Sequence, residues 1–294
     1  MDCVLALSTS TSKLSVAIGV LHDGQSKVLA NLDHVQQGSS AENIFSLIQK
    51  VQDQVGLVAP DGINAIAFDA GPGAFTGVRI GCGVAQGLGF AWNLPVVPVC
   101  SLLAISGAIG SIARKAPTLV FVAIDARMNE LYFAAYWLVQ GGEIVGNQAS
   151  RREQYVVEPS VASATQAQLQ FESLLSQYRD EQHTFDVTCL GNGFSDLGVG
   201  IGTLKAFSDR LQTQPQLTSI FGNPIGDPFG DTFAGCDASS IIIVAHKLLF
   251  GMSTATRLEQ FSAASAAPLY VRNKVALDKT EQRNLRLQSL GPVL

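Results

Sequence analysis

One unit occurs twice in this chain, and that repetition constrains the fold more than any single motif. Ala6-Leu7-Ser8 followed by Lys13-Leu14-Ser15-Val16-Ala17 has a counterpart in Ala123-Ile124-Asp125 followed by Glu130-Leu131-Tyr132-Phe133-Ala134. Each copy is an apolar run, a short polar turn and a second apolar run, the pattern of strand, turn and strand. Ser8 and Asp125 hold equivalent places 117 positions apart. A duplicated hairpin at this spacing predicts two related α/β lobes, and 294 residues suffice to give each a core. The expected division is 1–110 for the first lobe, 111–271 for the second and 272–294 for a basic tail.

Around the first copy the pattern extends to an antiparallel meander. Cys3 to Ser8 and Leu14 to Val20 are followed by a turn at Asp23-Gly24 and a third strand from Ser26 to Leu32. Ser39 and Glu42 then stand at capping-box spacing. Ile44, Leu47, Ile48, Val51 and Val55 share one helical face, and Gly56 is placed to end the helix. Phe45 lies beside that face and widens the stripe beyond what packing on one sheet demands. Ile63 to Phe68 reads as a strand, and Thr76 as the cap of a helix from Gly77 to Trp92. That helix contains Gly81, Gly83, Gly87 and Gly89. Each costs about 1 kcal/mol relative to alanine, so a close neighbour has to compensate.

Further along, Leu94 to Val99 reads as a strand and Ser101 to Ala113 as a helix. Two strands, Leu119 to Ile124 and Leu131 to Val139, flank the polar turn Asp125–Glu130. Ser163 to Tyr178 and Ser239 to Gly251 read as helices, Val187 to Leu190 as a strand, and Leu211 to Asp237 as loop.

Charge is scarce, at 15% of residues, against about 25% in ordinary soluble domains. That bias excludes a disordered chain. The net charge of −5 gives no basic footprint for nucleic acid, so direct high-affinity binding of nucleic acid is not expected. Ile80 to Ala113 holds no charged residue, yet it contains six glycines, Pro95 and Pro98. It reads as a buried or interface segment rather than a membrane span. The start, Met1-Asp2-Cys3-Val4, lacks a basic n-region, so no signal peptide is expected. The five cysteines are scattered without a CxxC or CxxH pair, so reduced, buried thiols and a cytoplasmic location are expected.

Three segments carry candidate chemistry. Gly71 to Gly81 follows a strand and opens a helix, where free N–H groups suit an anion. It matches neither G-x-x-x-x-G-K-[ST] nor G-x-G-x-x-G, and a structural turn with a tightly packed helix is the stronger reading. Ser8 to Ser12 is rich in hydroxyls, but no histidine is placed to activate one, and such side chains commonly satisfy turn backbone. Asp125, Arg127 and Glu130 form the best polar cluster, either a ligand contact across the inter-lobe cleft or a salt-bridged surface turn. The four histidines are isolated, so neither a metal site nor a cofactor is expected.

Gly71-Pro72-Gly73-Ala74-Phe75-Thr76-Gly77-Val78-Arg79-Ile80-Gly81, then Ala85-Gln86-Gly87-Leu88, resembles the signature of the bacterial TsaB (YeaZ) family. Ala123 to Tyr132 is similar to that family's second hairpin, and Pro268-Leu269-Tyr270-Val271-Arg272-Asn273 to its C-terminal Tyr-x-Arg-Asn element. The resemblance implies a two-lobed actin-like ATPase fold of the Hsp70 and sugar-kinase type. It implies a part in forming threonylcarbamoyladenosine at position 37 of transfer RNAs, as a non-catalytic subunit. Its expected partners are the catalytic subunit TsaD and, on that pair, the ATPase TsaE; a homodimer is a further expectation, and a membrane is not.

Actin-like ATPases place an Asp at the first phosphate turn, followed by glycine; here Ser8 stands there and no glycine follows before Lys13. The metal-holding histidine pair of TsaD has no equivalent in Ser39-Ser40-Ala41-Glu42-Asn43-Ile44. What remains is pairing, in which the family's first two helices form a four-helix bundle with those of TsaD. The expected partner-facing residues are Ile44, Phe45, Ile48, Val51, Val78, Gly83, Val84, Gly87 and Leu88. The expected cleft residues are Ser8, Thr9, Gly71, Gly73, Asp125 and Arg127. The alternative is a stand-alone enzyme of this fold, a nucleotide-dependent kinase or carbamoyltransferase using Asp125. A metallopeptidase would need a metal site that the histidine spacing does not offer.

Overall fold

Alternation of apolar and small residues in the opening hairpin builds a sheet that is covered on both faces. In the computed structural model, which describes residues 2–22, 24–35, 40–57, 60–107, 117–138, 144–145, 156–179, 185–194, 204, 207, 211 and 236–272, strands β1 (Asp2–Ser8), β2 (Lys13–His22) and β3 (Gln25–Val35) are antiparallel. Strands β4 (Ala65–Gly71) and β5 (Val96–Cys100) join parallel to β1, giving the order β3-β2-β1-β4-β5. Helix α1 (Ser40–Val55) links β3 to β4, and α2 (Phe75–Trp92) links β4 to β5.

Helix α3 (Ser101–Gly107) leads to a second sheet built on the same plan. Strands β6 (Thr118–Arg127) and β7 (Glu130–Leu138) are antiparallel; β8 (Ile144–Val145) and β9 (Val157–Ser163) both pair with β7. After α4 (Ala164–Arg179), β10 (Asp186–Leu190) runs parallel to β6 on its far side. Apart from the two-residue β8, the series strand, strand, strand, helix, parallel strand thus occurs twice, as the duplicated hairpin predicts.

The chain then returns. Helix α5 (Ala238–Leu249) packs with α3 between the sheets, and its Ile241, Ile242 and Ala245 join Val4, Ala6, Ala17 and Ala67 of the first sheet in one core. Gly19 makes this contact close: a Cβ there would lie 2.7 Å from Ile242 Cγ2. Helix α6 (Thr254–Gln260) is pinned to β1, because Arg257 reaches both carboxylate oxygens of Asp2 at 2.8 and 2.7 Å. Helices α5 and α6, which fall within the expected 111–271 division, thus pack on the first sheet. The 212–235 part of the expected loop, residues 108–116 of the expected boundary, Ser39 and the tail beyond Arg272 lie outside the described residues.

The layering accounts for the composition. On β1, Cys3, Leu5 and Leu7 face α1 and α2, whereas Val4 and Ala6 face α3 and α5. A strand covered on both sides reads as a continuous apolar run. The charge-free stretch from Ile80 becomes the end of α2, β5 and α3, with Val96, Val97, Val99, Leu102 and Ala104 buried. Among the described residues no single helix is long and apolar enough to cross a membrane; α5 and the segment after it pass only as a pair bent by 112°. A third core of Phe121, Phe133 and Phe171 lies under α4, with Phe121 and Phe171 stacked at 4.3 Å.

His246 on α5 is buried against β1 and β3, with its Nδ1 2.6 Å from Ser26 Oγ. Burial holds its pKa below the ordinary value, so the unfolded chain takes up a proton at a higher pH than the folded one. Stability from the neutral imidazole is present above about pH 6.5 and is lost as pH falls below it. In urea titrations, the stability advantage of wild type over His246→Gln shrinks between pH 7.5 and 5.5. An advantage that stays constant or grows contradicts this.

Candidate functional site

The site grows from the end of β4, where Asp69 closes the apolar run Ala65-Ile66-Ala67-Phe68. Its side chain is buried, and both oxygens are fully engaged. Oδ1 accepts from the Gly71 N–H at 3.0 Å and from the Ser101 hydroxyl at the start of α3. Oδ2 accepts from the Ser10 hydroxyl and lies 3.2 Å from Ser8 Oγ. Ser8 Oγ is also 2.8 Å from the carbonyl of Cys236, just ahead of α5. The Ser8 hydroxyl proton is thus shared between the Asp69 carboxylate and the Cys236 carbonyl, with the shorter contact to the carbonyl. Burial pushes the Asp69 pKa up, opposed by hydrogen bonds from Ser10, Ser101, Gly71 and Ser8. Burial, reinforced by the Asp69 charge, also lifts the Cys236 thiol well above its ordinary pKa, which makes it inert.

The turn after β1 is closed by the start of α2. Thr9 Oγ1 donates to the Gly77 carbonyl at 2.7 Å, and Ala74 N–H donates to the Ser10 carbonyl at 2.8 Å. A Cβ on Gly77 would overlap the Thr9 carbonyl, and one on Gly81 would lie 2.5 Å from Thr9 Oγ1. The Ser10 contact fixes where the helix begins: α2 starts at Phe75 with Ala74 as N-cap and no side-chain cap. Thr76 is therefore inside the first turn and is not the cap. Gly71 has φ +94 and precedes Pro72 through a cis bond, and a Cβ on Gly73 would lie 2.6 Å from that of Ser10.

Of the expected cleft residues, Ser8, Thr9, Gly71 and Gly73 come together in this junction, but they face one another. Ser8 and Thr9 are 0% and 1% exposed. Asp125 and Arg127 lie apart from them on the second hairpin. There Asp125 Oδ1 accepts the Arg127 N–H at 2.8 Å, and Oδ2 stands 3.6 Å from the Arg127 guanidinium. The Arg127 side chain is 88% exposed. Sequence reasoning missed Asp69, Ser10 and Ser101 as a unit. The available signal was a lone carboxylate ending an otherwise apolar strand.

The expected partner residues divide. Ile44, Ile48 and Val51 are buried in the lobe's own core with Leu5, Val16 and their neighbours, and Val78 is buried beside Gly71, so these four are unavailable to a partner. Phe45 is 54% exposed, Val84 and Leu88 are half-buried, and Gly83 and Gly87 open outward with nothing within 4 Å of an added Cβ. Phe90, 65% exposed and absent from the expected set, continues this face at i, i+4, i+7 from Gly83. Gly81 and Gly89 turn the other way, Gly89 against Val96 and Ala263. The helical glycines thus do two jobs that their spacing alone does not separate.

A family model described as "TsaD: tRNA N6-adenosine threonylcarbamoyltransferase" matches residues 27–278. The tRNA threonylcarbamoyladenosine biosynthesis protein TsaB of Haemophilus influenzae is 40% identical over 131 residues, which is 45% of this chain and 52% of that protein. The Escherichia coli TsaB is 35% identical over 169 residues, 56% of this chain and 67% of that one. The structure of YeaZ from Pseudomonas aeruginosa aligns over 92% of this chain and 100% of that chain, with TM-score 0.58 and 26% identity. The chain belongs to the TsaB/YeaZ family. Its matched segment spans about half the length of the Haemophilus relative. With two mixed sheets of one plan, the fold is the two-lobed actin-like ATPase architecture of that family.

An unsatisfied buried donor costs roughly 1–3 kcal/mol, and Asp69→Ala would orphan several. It lowers unfolding free energy by about 3 kcal/mol or more, whereas Asp69→Asn, which keeps an acceptor oxygen for Gly71 and Ser101, loses less. Urea unfolding checks both. Loss below about 1 kcal/mol for the alanine variant, or a larger loss for asparagine, contradicts this assignment.

Proposed function

We propose that this chain serves threonylcarbamoyladenosine formation on transfer RNA as a non-catalytic subunit that pairs with a TsaD-type catalytic protein. The TsaD-type protein would in turn recruit a TsaE-type ATPase. The observation that carries the reading is the state of the two hairpin turns. In an ATPase of this architecture they would hold the metal and the phosphates. Here the first turn spends the hydroxyls of Ser8, Thr9 and Ser10 on Asp69, the Cys236 carbonyl and α2. The second spends Asp125 on Arg127. With Ser8 buried at the usual Asp position, these residues do not fit a magnesium–nucleotide site. Among the described residues no group of three His, Cys, Asp or Glu is gathered to hold a metal. Nothing in the Asp125 environment favours a stand-alone kinase or carbamoyltransferase.

Support for pairing comes from the outer face of α1 and α2. Phe45, Gly83, Gly87 and Phe90 leave aromatic and backbone surface uncovered, and α2 carries Arg79 as its sole charge. Interface cores are depleted of charge and enriched in aromatics in this way, and small residues permit close helix approach.

Because Gly83 and Gly87 open outward, a bulky residue there leaves the fold intact and blocks close approach. In calorimetry with TsaD from the same organism, wild type binds at micromolar concentration or tighter. Gly87→Leu keeps its thermal midpoint and weakens binding by about tenfold or more, the effect of 1.4 kcal/mol. No binding of wild type, or unaltered binding of Gly87→Leu, contradicts the proposal.

A further inference from the structure

We infer that residues 266–272 form a strap that latches the two lobes, with Arg272 and Glu130 as its clasp. The strap's first part belongs to the first lobe. The Ala266 carbonyl accepts from Gln86 Nε2 at 2.9 Å and from the Cys82 thiol at 3.7 Å, both on α2. Leu269 N–H donates to the Ala70 carbonyl at 2.7 Å, beside the Asp69 junction. Tyr270 leans on the start of α2: its ring centroid is 6.5 Å from that of Phe75, and Arg79 Nε donates to its hydroxyl at 3.2 Å. The Arg79 guanidinium itself lies over the Phe75 ring at 3.7 Å.

Two residues later the strap is on the second lobe. Arg272 donates to the Glu130 carboxylate at the foot of the β6–β7 hairpin. Its guanidinium lies 5.8 Å from the Tyr132 ring centroid, and its Nη1 is 3.8 Å from Met128 Sδ. The Arg272 side chain is 14% exposed, which strengthens the pair relative to an open surface bridge. The hairpin tip it holds is strained: Arg127, Met128 and Asn129 have φ of 65, 56 and 61, the left-handed region that disfavours side chains. Arg272 thus supplies the contact from outside the hairpin that holds this strained tip, which is what makes it a clasp.

The strap therefore joins the exposed Phe75–Arg79–Tyr270 stack at the start of α2 to the hairpin that carries Asp125. Any contact that moves Tyr270 biases the hairpin, and by reciprocity a ligand that fixes the hairpin biases the α2 surface. This coupling goes beyond the subunit role proposed above and does not depend on it, since it is read from the isolated chain.

Hydrogen–deuterium exchange on the full chain tests it. Arg272→Ala is expected to raise exchange of residues 124–131 by about tenfold or more while β1 to β5 stay unchanged. Tyr270→Ala touches only the first lobe, yet it raises exchange of the same hairpin. The reversed pair Arg272→Glu with Glu130→Arg restores protection. The strap is refuted as a latch if Arg272→Ala leaves the hairpin unchanged, loosens both sheets alike, or is not rescued by the reversed pair. It is refuted as a transmitter if Tyr270→Ala leaves the hairpin unchanged.

Discussion

A single buried carboxylate organises the middle of this molecule. Asp69 gathers the end of β1 through Ser8, the following turn through Ser10, its own strand end through Gly71 and the start of α3 through Ser101. Through Ser8 it also reaches the Cys236 carbonyl ahead of α5. Segments that are remote in sequence thus meet at one group. A buried acid is costly unless it is satisfied, and this one is satisfied only when all of them are in place. The junction therefore specifies how α3 and α5 enter the space between the sheets. It also occupies the hydroxyls of Ser8 and Ser10.

The second organising constraint is coverage. The strands of the first sheet are apolar on both faces because α1 and α2 cover one side and α3 and α5 the other. This accounts for the low charge content without a membrane. It also decides which apolar residues remain for a partner. The inner side of α1 and α2 is spent on Leu5, Val16 and Phe68, leaving Phe45, Gly83, Gly87 and Phe90 outside. Folding uses one side of these two helices and leaves the other for the proposed pairing.

The local pattern carried much of this. The alternation in each hairpin copy predicts β1, β2, β6 and β7, and the 3.6-residue period from Ile44 to Val55 predicts α1 with Gly56 at its end. Three things were beyond a one-dimensional pattern. An apolar stripe does not say which neighbour covers it, so Ile44, Ile48, Val51 and Val78 were grouped with Phe45 although the sheet buries them. Glycines on one helix look alike, although Gly77, Gly81 and Gly89 serve the lobe while Gly83 and Gly87 face outward. The Asp69 junction joins hydroxyls 59 and 61 positions away to one acid, a coincidence only the folded chain displays. Thr76 shows the same limit in small: a distant carbonyl, that of Ser10, set the helix start.

Taken with membership of the TsaB/YeaZ family, this arrangement supports the proposed reading, in which the first hairpin turn is structural and the outer helices serve assembly. The account rests on the junction being closed to nucleotide. Calorimetric titration of the intact chain with magnesium-ATP tests that most directly. At high protein concentration the account predicts no binding heat. A saturable one-to-one isotherm at micromolar ATP, abolished by changing Asp125 or Ser10, would show that the cleft still takes a nucleotide and would contradict it.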